Sequence, residues 1–334
     1  MRTYLGAGSS CILLSALALG ACGGKETPVD AGSAGGGSAG GGSAGAESGA
    51  AGQGGSDGLA ASDIAQWPMP NSAGLGLPNP ATYDAETTPG VVHDRVTGLD
   101  WLQNPGIDLY ARADAINVCE KLVFAGFDDW RVPEFIELVS LFDVVPNDAD
   151  PLDPIYIAPV FRAEGRFWSA AAVSAAGLGR LLDFTAAGCG TSERCSIGVL
   201  GDAGSLLGGA FCVRHNQPPS TSNRYQINGD EVTDLRTGLT WQTVPAQVQT
   251  VAYDDAVSGC AALGTGARLP SVNELLSILV PILDKKAFPN WPADAFAWSS
   301  SAIPIKPGNY WAAAITGATE AALSTSHNRV ECVR

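Results

Sequence analysis

The sequence predicts an α+β protein made of two tandem copies of one small domain, each with two helices packed on a small, mainly antiparallel sheet. Two observations carry this. The stretch Trp130 to Asp143, WRVPEFIELVSLFD, places Phe135, Leu138, Val139 and Phe142 at i, i+3, i+4 and i+7, an apolar helical face with Glu134 and Glu137 off it. Ala267 to Val280, ARLPSVNELLSILV, repeats that plan 137 residues later with Val272, Leu275, Leu276 and Leu279.

The N-terminus reads as an export signal. Arg2 precedes an apolar run that ends in Leu17, Ala18 and Leu19, too short to span a bilayer as a mature helix. Leu19, Gly20, Ala21 and Cys22 resemble the bacterial lipoprotein cleavage motif. That resemblance makes residues 1–21 a signal peptide and Cys22 the lipidated first residue; the other reading is an ordinary secretory signal with an incidental cysteine. Gly23 stands where an aspartate would favour the inner membrane, so by the same analogy a Gram-negative outer membrane or cell surface is expected. Residues 22–58 form a tether, almost wholly Gly, Ala and Ser from residue 31 onward, with too little apolar surface to fold. Residues 59–90, with Pro68, Pro70, Pro78, Pro80 and Pro89, read as an extended lead-in that packs on the first domain.

From residue 91 the chain aligns with itself. His93 to Trp101 matches Thr233 to Trp241, with Thr97-Gly98 and Thr237-Gly238 suited to a tight turn between short strands. A helix with Ile116, Cys119 and Leu122 answers one with Val257, Cys260 and Leu263. The WRVP and ARLP stretches follow, then Phe167-Trp168-Ser169 against Ala297-Trp298-Ser299, then Cys212-Val213-Arg214 against Cys332-Val333-Arg334. The copies are bounded at 91–215 and 226–334, with a linker at 216–225. Trp168 to Arg214 is about ten residues longer than Trp298 to Arg334, and Cys189 and Cys195 sit in that excess.

In an exported chain the six cysteines beyond Cys22 are expected to be oxidised. Each copy has one cysteine on its first helix and one on its last strand, which pairs Cys119 with Cys212 and Cys260 with Cys332 and leaves Cys189 for Cys195. His93, His215 and His327 are scattered, so a zinc site is not expected.

The ordered set TGLDW, helix with one cysteine, AGFDDWRVPEFIEL, FWS and terminal CVR resembles the bacterial Lcl C-terminal domain family, over residues 91–215 and more loosely 226–334. The resemblance implies a C-type-lectin-like fold, in which a disulfide joins the first helix to the last strand. The second copy departs from the pattern: Ala267 replaces Trp130, and the AGFDD lead-in shrinks to Gly264-Thr265-Gly266. Tyr310 and Trp311 align with Leu181 and Leu182, so an aromatic binding surface would differ between the copies.

Candidate chemistry is sparse. Arg131 and Arg268 suit either a ligand or, as preferred, a guanidinium satisfied at a helix entrance. Glu137 and Glu274 look like paired carboxylates but lie one copy apart, and Ser271 with Glu274 fits a capping box. The acidic loop offers Asp143, Asn147, Asp148, Asp150 and Asp153 as oxygen ligands for calcium, or is a solvated turn; Lys285 and Lys286 stand in the matching region of the second copy. Trp168 and Trp298 could stack on a sugar or fill the core. Nucleophile elbows and phosphate loops are absent. With 19 basic and 34 acidic side chains the net charge is −15, which disfavours nucleic acid and sulfated glycans. No cofactor is expected beyond calcium. The expected function is a lipid-anchored binding or adhesion module without catalysis, recognising a polysaccharide, the matrix or another envelope protein. The alternatives are an oxidoreductase like the formylglycine-generating enzymes of the same broad fold group, which needs reactive cysteines, and a structural spacer without a ligand.

Overall fold

Asp94 shows how the sequence builds each sheet. Its carboxylate accepts the backbone N–H of Val96 at 2.9 Å and the Thr97 hydroxyl at 2.7 Å, and Gly98 follows at φ 72°, where a side chain would be strained. Asp234, Thr237 and Gly238 close the same turn in the second copy. The turn joins β2 (Val91–Asp94) to β3 (Asp100–Leu102), and its counterpart joins β9 (Glu231–Asp234) to β10 (Thr240–Gln242). The edge strand is β1 (Tyr83–Asp84) in the first copy and β8 (Tyr225–Asn228) in the second, and the closing strand is β7 (Val213–Arg214) or β14 (Cys332–Val333). The resulting antiparallel sheets, β1-β2-β3-β7 and β14-β10-β9-β8, have one topology.

The computed structural model describes residues 67–145, 155–172, 179–185, 199–201, 206–215, 224–242, 250–279, 287–288, 295–314 and 319–334. All belong to a compact unit comprising residues 56–334.

Two helices per copy pack on this frame. The first, α1 (Arg112–Glu120) or α3 (Tyr253–Ala261), buries its cysteine with Ala115 in the first copy and with Tyr253 and Ala256 in the second, and a disulfide anchors it to the last strand. The second, α2 (Phe135–Ser140) or α4 (Val272–Leu279), is wholly buried, including Phe135, Leu138 and Val139 and their counterparts Val272, Leu275 and Leu276. Phe142, the fourth member of the periodic set, is buried just past α2.

Each copy also carries a second antiparallel sheet, a refinement of the single sheet expected. The first is β4 (Arg166–Ala172), β5 (Gly179–Asp183) and β6 (Val199–Gly201); the second is β11 (Phe296–Ala302), β12 (Asn309–Ala314) and β13 (Thr319–Leu323). Their registers correct one alignment. Trp168 pairs with Leu181 and Trp298 with Ala312, so Tyr310 and Trp311 stand in the places of Gly179 and Arg180, not Leu181 and Leu182. Trp168 and Leu181 are one residue closer in sequence than Trp298 and Ala312, and a sequence without the ladder does not show on which side that gap falls.

The copies are joined through their cores. α2 packs on α4, and the buried side chains of both fall in one continuous cluster with Trp67 and Met69 of the lead-in. The Asn273 amide on α4 donates to the carbonyls of Phe142, at 2.8 Å, and Pro70, at 3.0 Å. The Trp67 N–H donates to the Arg236 carbonyl, and the Ser72 hydroxyl accepts from the Val144 N–H. The lead-in therefore packs on both copies, and its Tyr83–Asp84 strand is part of the first sheet.

Candidate functional site

Arg131 and Arg268 fix the way into the buried helices. Arg131 donates through both terminal nitrogens to Glu137 at 2.7 Å, and Arg268 does the same to Glu274 at 2.8 and 2.7 Å. The glutamates are 1% and 0% exposed, and each accepts the backbone N–H three residues ahead of it, Glu134 or Ser271, at 2.7 Å. The Glu274 N–H donates to the Ser271 hydroxyl, which completes the capping box. Each carboxylate thus accepts three hydrogen bonds from its own copy, two of them from the paired arginine, so the pairs serve the fold.

Three aromatic residues singled out as ligand platforms are core side chains. Trp168, Trp298 and Trp311 are 2%, 0% and 0% exposed, which leaves no ring face for a sugar. The indoles of Trp168 and Trp298 donate to the carbonyls of Tyr110 and Val251 at 2.7 and 2.8 Å. Tyr310 is half-buried, with one face stacked on Tyr253 at 3.4 Å and 13°. The first copy shows why. Arg112 occupies the place of Tyr253, its guanidinium donating to the carbonyls of Ser169 and Ala170, and Gly179 occupies the place of Tyr310. A Cβ on Gly179 would lie 2.0 Å from the Arg112 Cδ, so a ring there is incompatible with that arginine.

Cys119–Cys212 and Cys260–Cys332 are disulfides, as the repeat predicts. Cys22, Cys189 and Cys195 lie outside the described residues, as do Asn147, Asp148, Asp150 and Asp153 of the acidic loop. Asp143 is half-buried and caps the Val145 N–H at 3.0 Å. Among the described residues no group of three or more His, Cys, Asp or Glu could hold a metal ion.

Two histidines read as scattered in fact meet. His93 Nδ1 lies 2.7 Å from one oxygen of Asp100, and His215 Nε2 lies 2.9 Å from the other. Arg214 donates to Asp100 at 2.7 Å and to Asp129 at 2.7 Å, with its guanidinium 3.5 Å over the ring of Phe127. The antiparallel register brings His93 and Arg214 to the two sides of Asp100. In the second copy Thr233 and Thr240 replace the His93–Asp100 pair. With all three groups engaged on one carboxylate, the cluster ties β2, β3 and β7 together.

One apolar surface among the described residues was not legible as a motif. An open groove of about 870 Å³ runs along α1, lined by Leu109, Tyr110, Val118, Leu122, Val123 and Leu207 with Asp114, Asn117 and Lys121. Leu109, Val123 and Leu207 are 54%, 74% and 43% exposed. Tyr110 pairs with Gly208 in a bridge that recurs as Val251 with Asn328, so the copies can be compared position by position. Leu109, Val118, Val123 and Leu207 then correspond to Thr250, Gly259, Gly264 and His327. The same frame is built without these apolar groups in the second copy, so folding does not require them. That within-chain contrast is the signal a sequence could have offered.

A model of the Lcl C-terminal domain matches the chain twice, over residues 90–194 and 230–334. The first match stops short of β7, which the fold places in the same copy. A comparison with curated proteins finds no match.

Proposed function

This chain belongs to the Lcl C-terminal domain family in both of its copies, and from that membership we propose that it is a cell-surface binding module without catalytic activity. Cys22 carries the lipid that anchors it in a Gram-negative outer membrane, and the Gly-rich segment to residue 58 holds the folded unit away from the bilayer. The groove along α1 of the first copy is the recognition surface. The observation behind this reading is the contrast between copies: large aliphatic side chains are exposed around the groove at positions where the second copy has threonine, glycine or histidine. Exposed apolar surface that a fold does not need marks a place where something binds.

The mature chain, screened against immobilised glycans and isolated envelope and matrix proteins with and without calcium, is expected to retain a component through the first copy. Replacing Leu109 and Val123 by aspartate abolishes that retention. A screen in which no component binds, or in which these substitutions change nothing, leaves the structural-spacer reading in its place.

A further inference from the structure

The lining of the groove also bears on the chemical class of its ligand, an inference that rests on the groove being the recognition surface. We propose that it takes a protein segment presenting aliphatic side chains beside a lysine or arginine. Sugar recognition relies on aromatic platforms with fans of polar groups, whereas half of this lining is leucine and valine, with Tyr110 as its one aromatic. Burial of its own and Asp108 together raise the Tyr110 hydroxyl above its ordinary range, with Asp108 accepting its hydrogen bond at 3.4 Å. The tyrosine hydroxyl is thereby already engaged.

Charge supplies the second half. Asp114 lines the groove and Asp108 stands beside Tyr110, against Lys121 as the basic group of the lining. The whole chain adds a field of −15, which repels a polyanion and draws a basic partner. A volume of about 870 Å³ accommodates several side chains, as an extended or helical segment would insert them.

The test uses the full mature chain and three synthetic ten-residue peptides, alternating leucine with lysine, leucine with glutamate, and serine with lysine, followed by fluorescence anisotropy. A sulfated dextran and a neutral dextran serve as polysaccharide probes. The variant is Leu109→Thr, Val123→Gly, Leu207→His, which installs residues the second copy already tolerates; its melting temperature reports that it folds. The leucine–lysine peptide is expected to bind, to weaken at least about tenfold in the variant, since each buried aliphatic group is worth roughly one decade, and to weaken with salt. Equal binding of the leucine–glutamate or serine–lysine peptide overturns the proposal. A dextran that binds and is lost in the variant also overturns it while leaving the groove as the recognition surface. Peptide binding that the variant leaves unchanged removes the groove reading itself, and so does the absence of binding by every probe.

Discussion

The indole of Trp311, in the second copy, stands edge-on to the ring of Phe142 in the first, 5.9 Å between centroids at 82°. Tyr156 meets the same indole at 5.6 Å and 84°. One tryptophan thus seals the joint between the copies, and in the first copy its place is held by Arg180, whose buried Nε and one terminal nitrogen find no hydrogen-bond partner among the described residues. The joint is asymmetric although the copies share a fold.

Removing that seal should therefore destabilise both copies at once. Trp311→Ala is expected to cost ~3–5 kcal/mol, the usual range for a buried aromatic. Urea unfolding followed by far-UV circular dichroism should show one transition shifted to lower denaturant. Two separated transitions would show that the copies fold independently.

The Arg268–Glu274 pair is expected to be costly to break and cheaper to remove. Arg268→Met leaves a fully buried carboxylate uncompensated and should cost ~3–5 kcal/mol. The double variant Arg268→Met, Glu274→Leu should be less destabilised than Arg268→Met alone, though it loses the bond to the Ser271 N–H. A double-mutant cycle measures both.

Glu331 gives a pH dependence. Burial pushes its carboxyl up to about 7, and the Arg329 guanidinium at 2.6 Å offsets this only in part. Between the ordinary glutamate value and about 7 the folded chain binds the extra proton, so stability is greatest at the acid end and falls as pH rises through that window. Glu331→Gln should flatten this fall in urea titrations at pH 5 and pH 7.5, and an unchanged slope would count against a protonated Glu331. Asp234 acts in the opposite sense: burial is outweighed by the Arg224 charge and hydrogen bonds, which hold it below the ordinary range. Its contribution is lost as pH falls through the aspartate range.

Gly179 and Arg112 should be coupled. Gly179→Ala places a methyl 2.0 Å from the Arg112 Cδ, displacing the arginine from the carbonyls it serves at a cost of about 1–3 kcal/mol. In an Arg112→Ala background the same glycine substitution should cost much less. Additive effects in thermal melts would show that the two positions are independent.

Reduction should weaken both copies. The chain-entropy model credits a bridge closing a loop of this length with roughly 4 kcal/mol, so Cys119→Ser with Cys212→Ser, or the corresponding pair in the second copy, should lower the melting temperature by several degrees. Peptide mapping without reductant checks the pairing directly.

Internal repetition made much of this fold legible. The apolar faces of α2 and α4, the Thr-Gly turns and the helix-to-strand disulfides could be read because each has a local signature that appears twice, and the capping box at Ser271 because Ser271 and Glu274 stand three residues apart ahead of an apolar run. The same reading left Trp168 and Trp298 open between a sugar-stacking face and the core, since a tryptophan in a strand has no local mark of which side it faces. It also separated His93 from His215, which antiparallel pairing brings to one carboxylate.

By itself the sequence determined the tandem plan, the two helices of each copy and the two helix-to-strand bridges, because periodicity, turn chemistry and cysteine placement act over a few residues or repeat in register. Only the tertiary structure decided that the copies share one core, that Trp311 replaces Arg180 at their joint, and that aliphatic side chains line an open groove on the first copy. Burial and exposure depend on which distant segments arrive, and a leucine left facing water carries the same letter as one inside.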